Sequence, residues 1–214
     1  MERGSVKTIN PRVHQIIKAA ARIVLAPFFE THVEGRENLP QREPLVLLPK
    51  HQRWEDIPLL GLASPVPLYY VAKNELFVNR LSNWFMTSLG GIPLDRRRPL
   101  ASRRSIKAIV GLLKAEAAVV VFPEGTYYRN RMGSGYVGLI RLIHSRIEVP
   151  FIPVGIRYSR EGMRRRVDIK FGRTVAWESS AAPEAFLAAA MQEIRVLSGL
   201  KYPFCYSSLS FLNP

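Results

Sequence analysis

Four short apolar runs constrain this chain more than any other feature: residues 45–48, 68–71, 119–122 and 151–156. Runs of this length without polar alternation fit strands buried on both faces. A fifth run, 167–171, alternates and is expected at a sheet edge. Between the second and third runs, Ile106, Ile109, Val110 and Leu113 keep helical spacing, and Arg103, Lys107 and Lys114 form a basic stripe on the same helix. Near the end of the chain, Ser180 and Pro183 mark a helix start, with Leu187, Ala190, Met191 and Ile194 as its apolar face and Gly199 as its stop. Strands alternating with helices predict an α/β fold, a mostly parallel sheet flanked by helices.

Ahead of the first strand, Val13, Ile16, Ile17, Ala20 and Val24 recur at helical spacing, with Lys18 and Arg22 on another face and Pro27 after them. Residues 12–26 are therefore expected to form a short amphipathic helix. Such a helix either lies in a membrane interface or packs on the domain. The apolar stretch here is too short to span a bilayer and too charged for a secretory signal. The expected organisation is a membrane-associating helix over 1–29, a catalytic-sized α/β domain over 30–200 and a tail over 201–214. The expected location is cytoplasmic, peripheral on the inner face of a membrane.

The chain has 214 residues, 47% of them hydrophobic, enough to build a core and to exclude wholesale disorder. Its 31 Lys and Arg against 17 Asp and Glu give a net charge of +14. A charge of that size implies an anionic partner: nucleic acid, a phospholipid surface or a phosphorylated ligand. No nucleic-acid recognition motif is present and the aromatics are not interleaved with basic residues, so no nucleic-acid partner is expected. The single Cys205 excludes an intrachain disulfide and a Cys-based zinc site, and fits a reducing compartment.

Four segments carry chemistry. The first, Lys50-His51-Gln52-Arg53-Trp54-Glu55-Asp56, follows the first buried run. In α/β sheets the functional loops lie at the carboxyl ends of strands. If this loop turns into a helix, Asp56 folds back onto His51, fixes its tautomer and makes it a general base. The second segment is Phe122-Pro123-Glu124-Gly125-Thr126, in which a carboxylate and a glycine close another strand. The third runs from Gly90 and Gly91 to Asp95, Arg96, Arg97 and Arg98, where arginine can bind phosphate with a two-pronged fork. The fourth is Val149-Pro150-Phe151-Ile152-Pro153-Val154. Read singly, each also has a bland explanation: a surface histidine, a plain turn, a solvated basic turn, a strand entrance. No G-x-S-x-G elbow surrounds a serine, which argues against a serine hydrolase.

In this order the four segments resemble the blocks of the glycerolipid acyltransferase family: HxxxxD from His51 to Asp56, G-x-I-x-x-x-R from Gly90 to Arg96, FPEGT from Phe122 to Thr126, and the proline-bearing apolar block. The resemblance covers roughly residues 30–175 and implies a role for each matched residue. His51 would take the proton from an acceptor hydroxyl and Asp56 would orient it. Arg96 would hold the acceptor phosphate. Gly90, Glu124, Gly125 and Thr126 would line the acceptor site, and Pro153 would shape its acyl side. The implied reaction moves a fatty acyl chain from acyl-CoA or acyl carrier protein to the sn-2 hydroxyl of 1-acylglycerol-3-phosphate (lysophosphatidic acid), or to another lyso-lipid. The partners are those substrates and an anionic membrane surface. No cofactor or metal is expected, because a thioester is already activated.

Two residues depart from the family pattern. Lys50 stands where asparagine is frequent, and Tyr127 where arginine is frequent, with Arg129 and Arg131 nearby. The basic stripe on the 106–113 helix and the cluster Arg164-Arg165-Arg166 would face a membrane, the phosphates of coenzyme A or an acidic carrier protein; otherwise they are solubilising surface. Trp54, Phe77, Trp84 and Phe85 are read as core, the alternatives being an acyl channel wall or interfacial anchors.

Overall fold

The computed structural model describes residues 9, 11–40, 42–95, 99–177 and 181–203. Seven strands form one sheet in the order β1-β7-β6-β2-β5-β3-β4. They are β1 (Phe29–Glu34), β2 (Leu45–Pro49), β3 (Leu68–Lys73), β4 (Gly91–Leu94), β5 (Ala118–Val120), β6 (Phe151–Glu161) and β7 (Arg164–Phe171). Neighbours run parallel except for the β6–β7 hairpin. Among the described residues six α-helices surround them: α1 (Pro11–Leu25), α2 (Asp56–Ala63), α3 (Arg80–Ser88), α4 (Pro99–Lys114), α5 (Gly138–His144) and α6 (Pro183–Ser198).

Every residue of β2 is buried, as its unbroken apolar run requires of a central parallel strand. Its side chains alternate between two cores. Val46 and Leu48 pack with Ile109 and Leu113 of α4, Ile140 of α5 and Ile194 of α6. Leu45 and Leu47 pack with Leu59 and Leu60 of α2, Leu25 of α1, and Ile152 and Val154 of β6. Helices thus cover both faces, as expected. Pro183 opens α6, and Gly199, at φ +61°, closes it in the left-handed conformation that glycine adopts at least cost.

The edges differ from the sequence reading. β7 is not an edge strand: β1 lies outside it, parallel, from Phe29 opposite Arg165 to Glu34 opposite Lys170. β1 is polar because it is itself the edge, and its carboxylates meet basic residues of β7, Glu34 with Lys170 at 2.9 Å and Glu30 with Arg164 at 3.4 Å. At the opposite edge β4 carries Pro93, tolerable there because an edge strand has a side that needs no ladder donor.

Helix α1 packs on the domain by one side and leaves apolar side chains exposed on another. Leu25 is buried and Lys18 donates from Nζ to Ser64 O at 3.0 Å, fastening the helix beside α2. Ile16, Ile23, Val24 and, beyond its end, Phe28 stay largely exposed. Ile16 and Val24, placed by spacing on the same face as Ile17, therefore turn outward. Trp54 and Trp84, read as core, are 62% and 63% exposed.

Candidate active site

The loop leaving β2 is organised by one carboxylate. Asp56 is the first residue of α2 and is fully buried. Its Oδ2 accepts from Gln52 N at 2.6 Å and Arg53 N at 2.8 Å, and lies 3.0 Å from His51 Nδ1. Its Oδ1 accepts from the Tyr158 hydroxyl at 2.6 Å. The pairing places hydrogen on His51 Nδ1 and leaves the Nε2 lone pair for a substrate proton. The His51 ring stacks on Phe122 at 3.7 Å between centroids and tilts against Tyr127 at 4.4 Å. Its side chain keeps 10% of its exposure, so one edge of a fixed ring remains open. Burial and the negative charges of Asp56 and Glu55 push the Tyr127 phenol up, which keeps it a neutral neighbour of the imidazole.

Gln52 ties this loop to strand β6 and to the loop after β5. Its Nε2 donates to Ile156 O and its Oε1 accepts from Asn130 N, both at 2.7 Å. Tyr128 N donates to His51 O at 3.0 Å. Below the loop, Lys50 is fully withdrawn from solvent and donates to Glu124 Oε2 at 2.6 Å, and to His51 O and Tyr128 O at 3.0 Å. Glu124 Oε2 also accepts from His51 N at 3.0 Å, while Oε1 accepts from Gly133 N at 2.7 Å. Burial lowers the Lys50 pKa, with the Glu124 charge and hydrogen bond opposing that shift. Glu124 borders a cleft at the carboxyl ends of the strands, and both of its carboxylate oxygens are engaged within the protein. It holds the His51 backbone from a place in the cleft lining.

At the carboxyl ends of β3 to β5 a cleft of about 260 Å³ opens, its lining including Lys73, Asp95, Glu124, Gly125, Thr126 and Tyr136. Gly125, at φ +65°, makes the turn that joins this cleft to Glu124. A second cleft, of about 220 Å³, includes Leu45, Tyr69 and Ala118 in its lining and so sits at the strands' amino ends, away from His51. One chain segment thus presents a histidine–carboxylate pair beside a cleft holding a lysine, the parts needed to activate a hydroxyl on an anionic molecule.

A family model described as Acyltransferase matches residues 30–157, the segment that carries the His51–Asp56 pair, Lys50, Glu124 and the cleft. The chain belongs to the acyltransferase family. Among curated acyltransferases it is 34% identical over 144 residues to a chloroplastic 1-acyl-sn-glycerol-3-phosphate acyltransferase of Brassica napus, covering 66% of this chain and 41% of that one. It is 30% identical over 149 residues to the 1-acyl-sn-glycerol-3-phosphate acyltransferase of Streptococcus pneumoniae, covering 67% and 55%. The matched segment thus spans between two fifths and a little over half of these relatives. The crystal structure of the 1-acyl-sn-glycerophosphate acyltransferase from Thermotoga maritima shares the fold at a TM-score of 0.65 and 22% identity, covering 86% of this chain and 79% of that one.

Within the acyltransferase, the structure brings His51 and Asp56 together and sets Gly125 and Thr126 on the cleft. Arg96 lies outside the described residues, as do Arg97, Arg98 and Ser180. Gly90 sits at the amino end of β4, opposite the site. It is glycine because φ is +79° and a Cβ would stand 2.7 Å from Leu68 O. Pro153 is buried in the sheet, paired with Leu48 of β2. Its carbonyl accepts from Gly172 N, one residue past the end of β7. Sequence reasoning missed Lys73, Gln52 and Tyr158. Lys73 carried a signal, a cation ending a buried run at the edge where ligands bind.

Proposed function

We propose that this acyltransferase moves a fatty acyl group from a thioester to the sn-2 hydroxyl of 1-acylglycerol-3-phosphate. The observation that carries the reading is the His51–Asp56 pair, 3.0 Å apart, with His51 N bonded to Glu124 of a lysine-bearing cleft. His51 Nε2 takes the proton of the acceptor hydroxyl as that oxygen attacks the thioester carbonyl. The C–S bond breaks when the tetrahedral intermediate collapses, and the departing thiolate recovers the proton from His51. Asp56 stabilises the imidazolium between those events. Lys73 supplies a cation for the acceptor phosphate, and Arg96 a second. The donor is acyl-CoA or acyl carrier protein. The exposed basic residues Arg103, Lys107 and Lys114 on α4 suit the phosphates of the one or the acidic surface of the other.

The chain works from a membrane surface in this reading. Ile16, Ile23, Val24 and Phe28 form an exposed apolar stripe, and at the tip of the β6–β7 hairpin Met163 is fully exposed between Arg160 and Arg164. Apolar groups flanked by cations suit an anionic bilayer. Among the described residues no helix is long and apolar enough to cross one.

A second acceptor class has its own support. Tyr127 replaces a basic residue beside the histidine, and Asp95 and Glu75 share the cleft with Lys73. A curated lyso-ornithine lipid O-acyltransferase of Pseudomonas aeruginosa is 32% identical to this chain over 145 residues. Thioester release with acyl-CoA and acyl carrier protein donors, run against lysophosphatidic acid, lysophosphatidylcholine and a phosphate-free lyso-lipid, decides the matter. Turnover confined to lysophosphatidic acid supports the first reading. Turnover with the phosphate-free lipid alone moves the acceptor class.

A further inference from the structure

Strand β6 outruns its neighbour. Its pairing with β2 ends at Pro49 opposite Val154, yet β6 continues to Glu161 as one arm of the hairpin. That overrun carries Tyr158 across the mouth of the β2–α2 loop, 102 positions from the carboxylate it meets. We propose that Tyr158 is a positioning residue of the acyltransferase: its hydroxyl holds Asp56 Oδ1 and sets how much of the carboxylate's charge reaches His51.

The geometry is specific. The two Asp56 oxygens are divided between tasks: Oδ2 takes the two loop amides and faces His51 Nδ1, while Oδ1 takes the Tyr158 hydroxyl at 2.6 Å. The Tyr158 ring is itself fixed. The Arg53 guanidinium lies 5.0 Å over it, and Phe29 of β1 meets it edge-on at 6.4 Å. Burial, the Asp56 charge and the hydrogen bond all push the Tyr158 phenol up, so it remains a protonated donor throughout any working pH range. The other ionisable groups around Asp56 are His51 and Lys50 at the end of β2, Arg53 and Glu55 in its own loop, and Tyr127 from the loop after β5.

A donor on Oδ1 draws charge away from the face presented to His51. Replacing Tyr158 with phenylalanine returns that charge and strengthens the base. The acid limb of the kcat/KM profile then moves to higher pH, by about half a unit, while kcat falls about tenfold and KM for either substrate stays within about twofold. Site-specific 3-fluorotyrosine at 158 keeps the shape and sharpens the donor, and moves the same limb to lower pH. Opposite displacements in the two proteins support the proposal. Profiles that superimpose on the unmodified enzyme overturn it, whatever happens to kcat. If the phenylalanine variant does not fold, the fluorotyrosine protein decides alone. The inference rests on His51 as base. Failure of that reading shows as turnover surviving in His51→Ala, whereas failure of this one leaves His51→Ala inactive and the Tyr158 profiles unmoved.

Discussion

Lys50 Nζ lies 2.6 Å from Glu124 Oε2, with neither side chain exposed to solvent. The pair joins two segments 74 positions apart and fixes the floor beneath His51. Deleting one partner strands the other charge in the interior, at a cost of about 3–5 kcal/mol, while replacing both with apolar residues is far milder. Lys50→Met and Glu124→Leu are each expected to lower the unfolding free energy by that amount. The double variant is expected to lose much less than the sum, measured by urea denaturation of all three. Strict additivity would remove the coupling claimed here.

Lys73 is the cation assigned to the acceptor phosphate. A charge-assisted contact contributes about 1.5–3 kcal/mol, so Lys73→Ala should raise the KM for lysophosphatidic acid about tenfold or more and leave the donor KM unchanged. Steady-state kinetics with each substrate varied in turn provide the check. An unaltered acceptor KM would take Lys73 out of the phosphate site.

The exposed side of α1 is the proposed bilayer contact. Burying one large aliphatic side chain contributes about 1.5–3 kcal/mol. Ile23→Glu with Phe28→Glu should therefore reduce co-sedimentation with phosphatidylglycerol-containing vesicles more than tenfold without altering the far-ultraviolet circular dichroism. Equal binding by the variant would place the membrane contact elsewhere.

Tyr70 donates to Ile57 O at 2.9 Å, and burial pushes its phenol well above the ordinary value of 10.0. The unfolded chain gives up this proton near pH 10 and the folded chain keeps it. The stability involved is complete below that pH and is lost as the pH climbs past it, by up to about 1.4 kcal/mol per unit. Tyr158 behaves in the same way. Tyr70→Phe should cost about 1 kcal/mol at pH 7 and flatten the alkaline decline, measured by denaturation between pH 7 and 11.5.

The parts of the fold that were legible in the chain are those governed by local pattern. The unbroken run of β2 announces a central strand, and the five-position separation of His51 and Asp56 is enough to close a turn. β1 and β4 escaped because an edge strand has no continuous apolar run to show: one is laced with charge and the other holds Pro93. The orientation of α1 escaped because spacing shows that a helix has apolar residues but not which stripe meets the domain. Lys50 with Glu124 and Asp56 with Tyr158 are contacts made by sheet topology, and no periodicity encodes them. The inward bonds of Glu124 were hidden for the same reason: only the fold shows that its carboxylate holds Lys50, His51 N and Gly133 N.

Thioester release by purified protein and by His51→Ala, assayed side by side with acyl-CoA and lysophosphatidic acid, tests the central claim most directly. The account predicts a loss of about 10²–10⁴-fold in kcat with the melting temperature within a few degrees of the parent. A folded His51→Ala protein that turns over at the parental rate would contradict it.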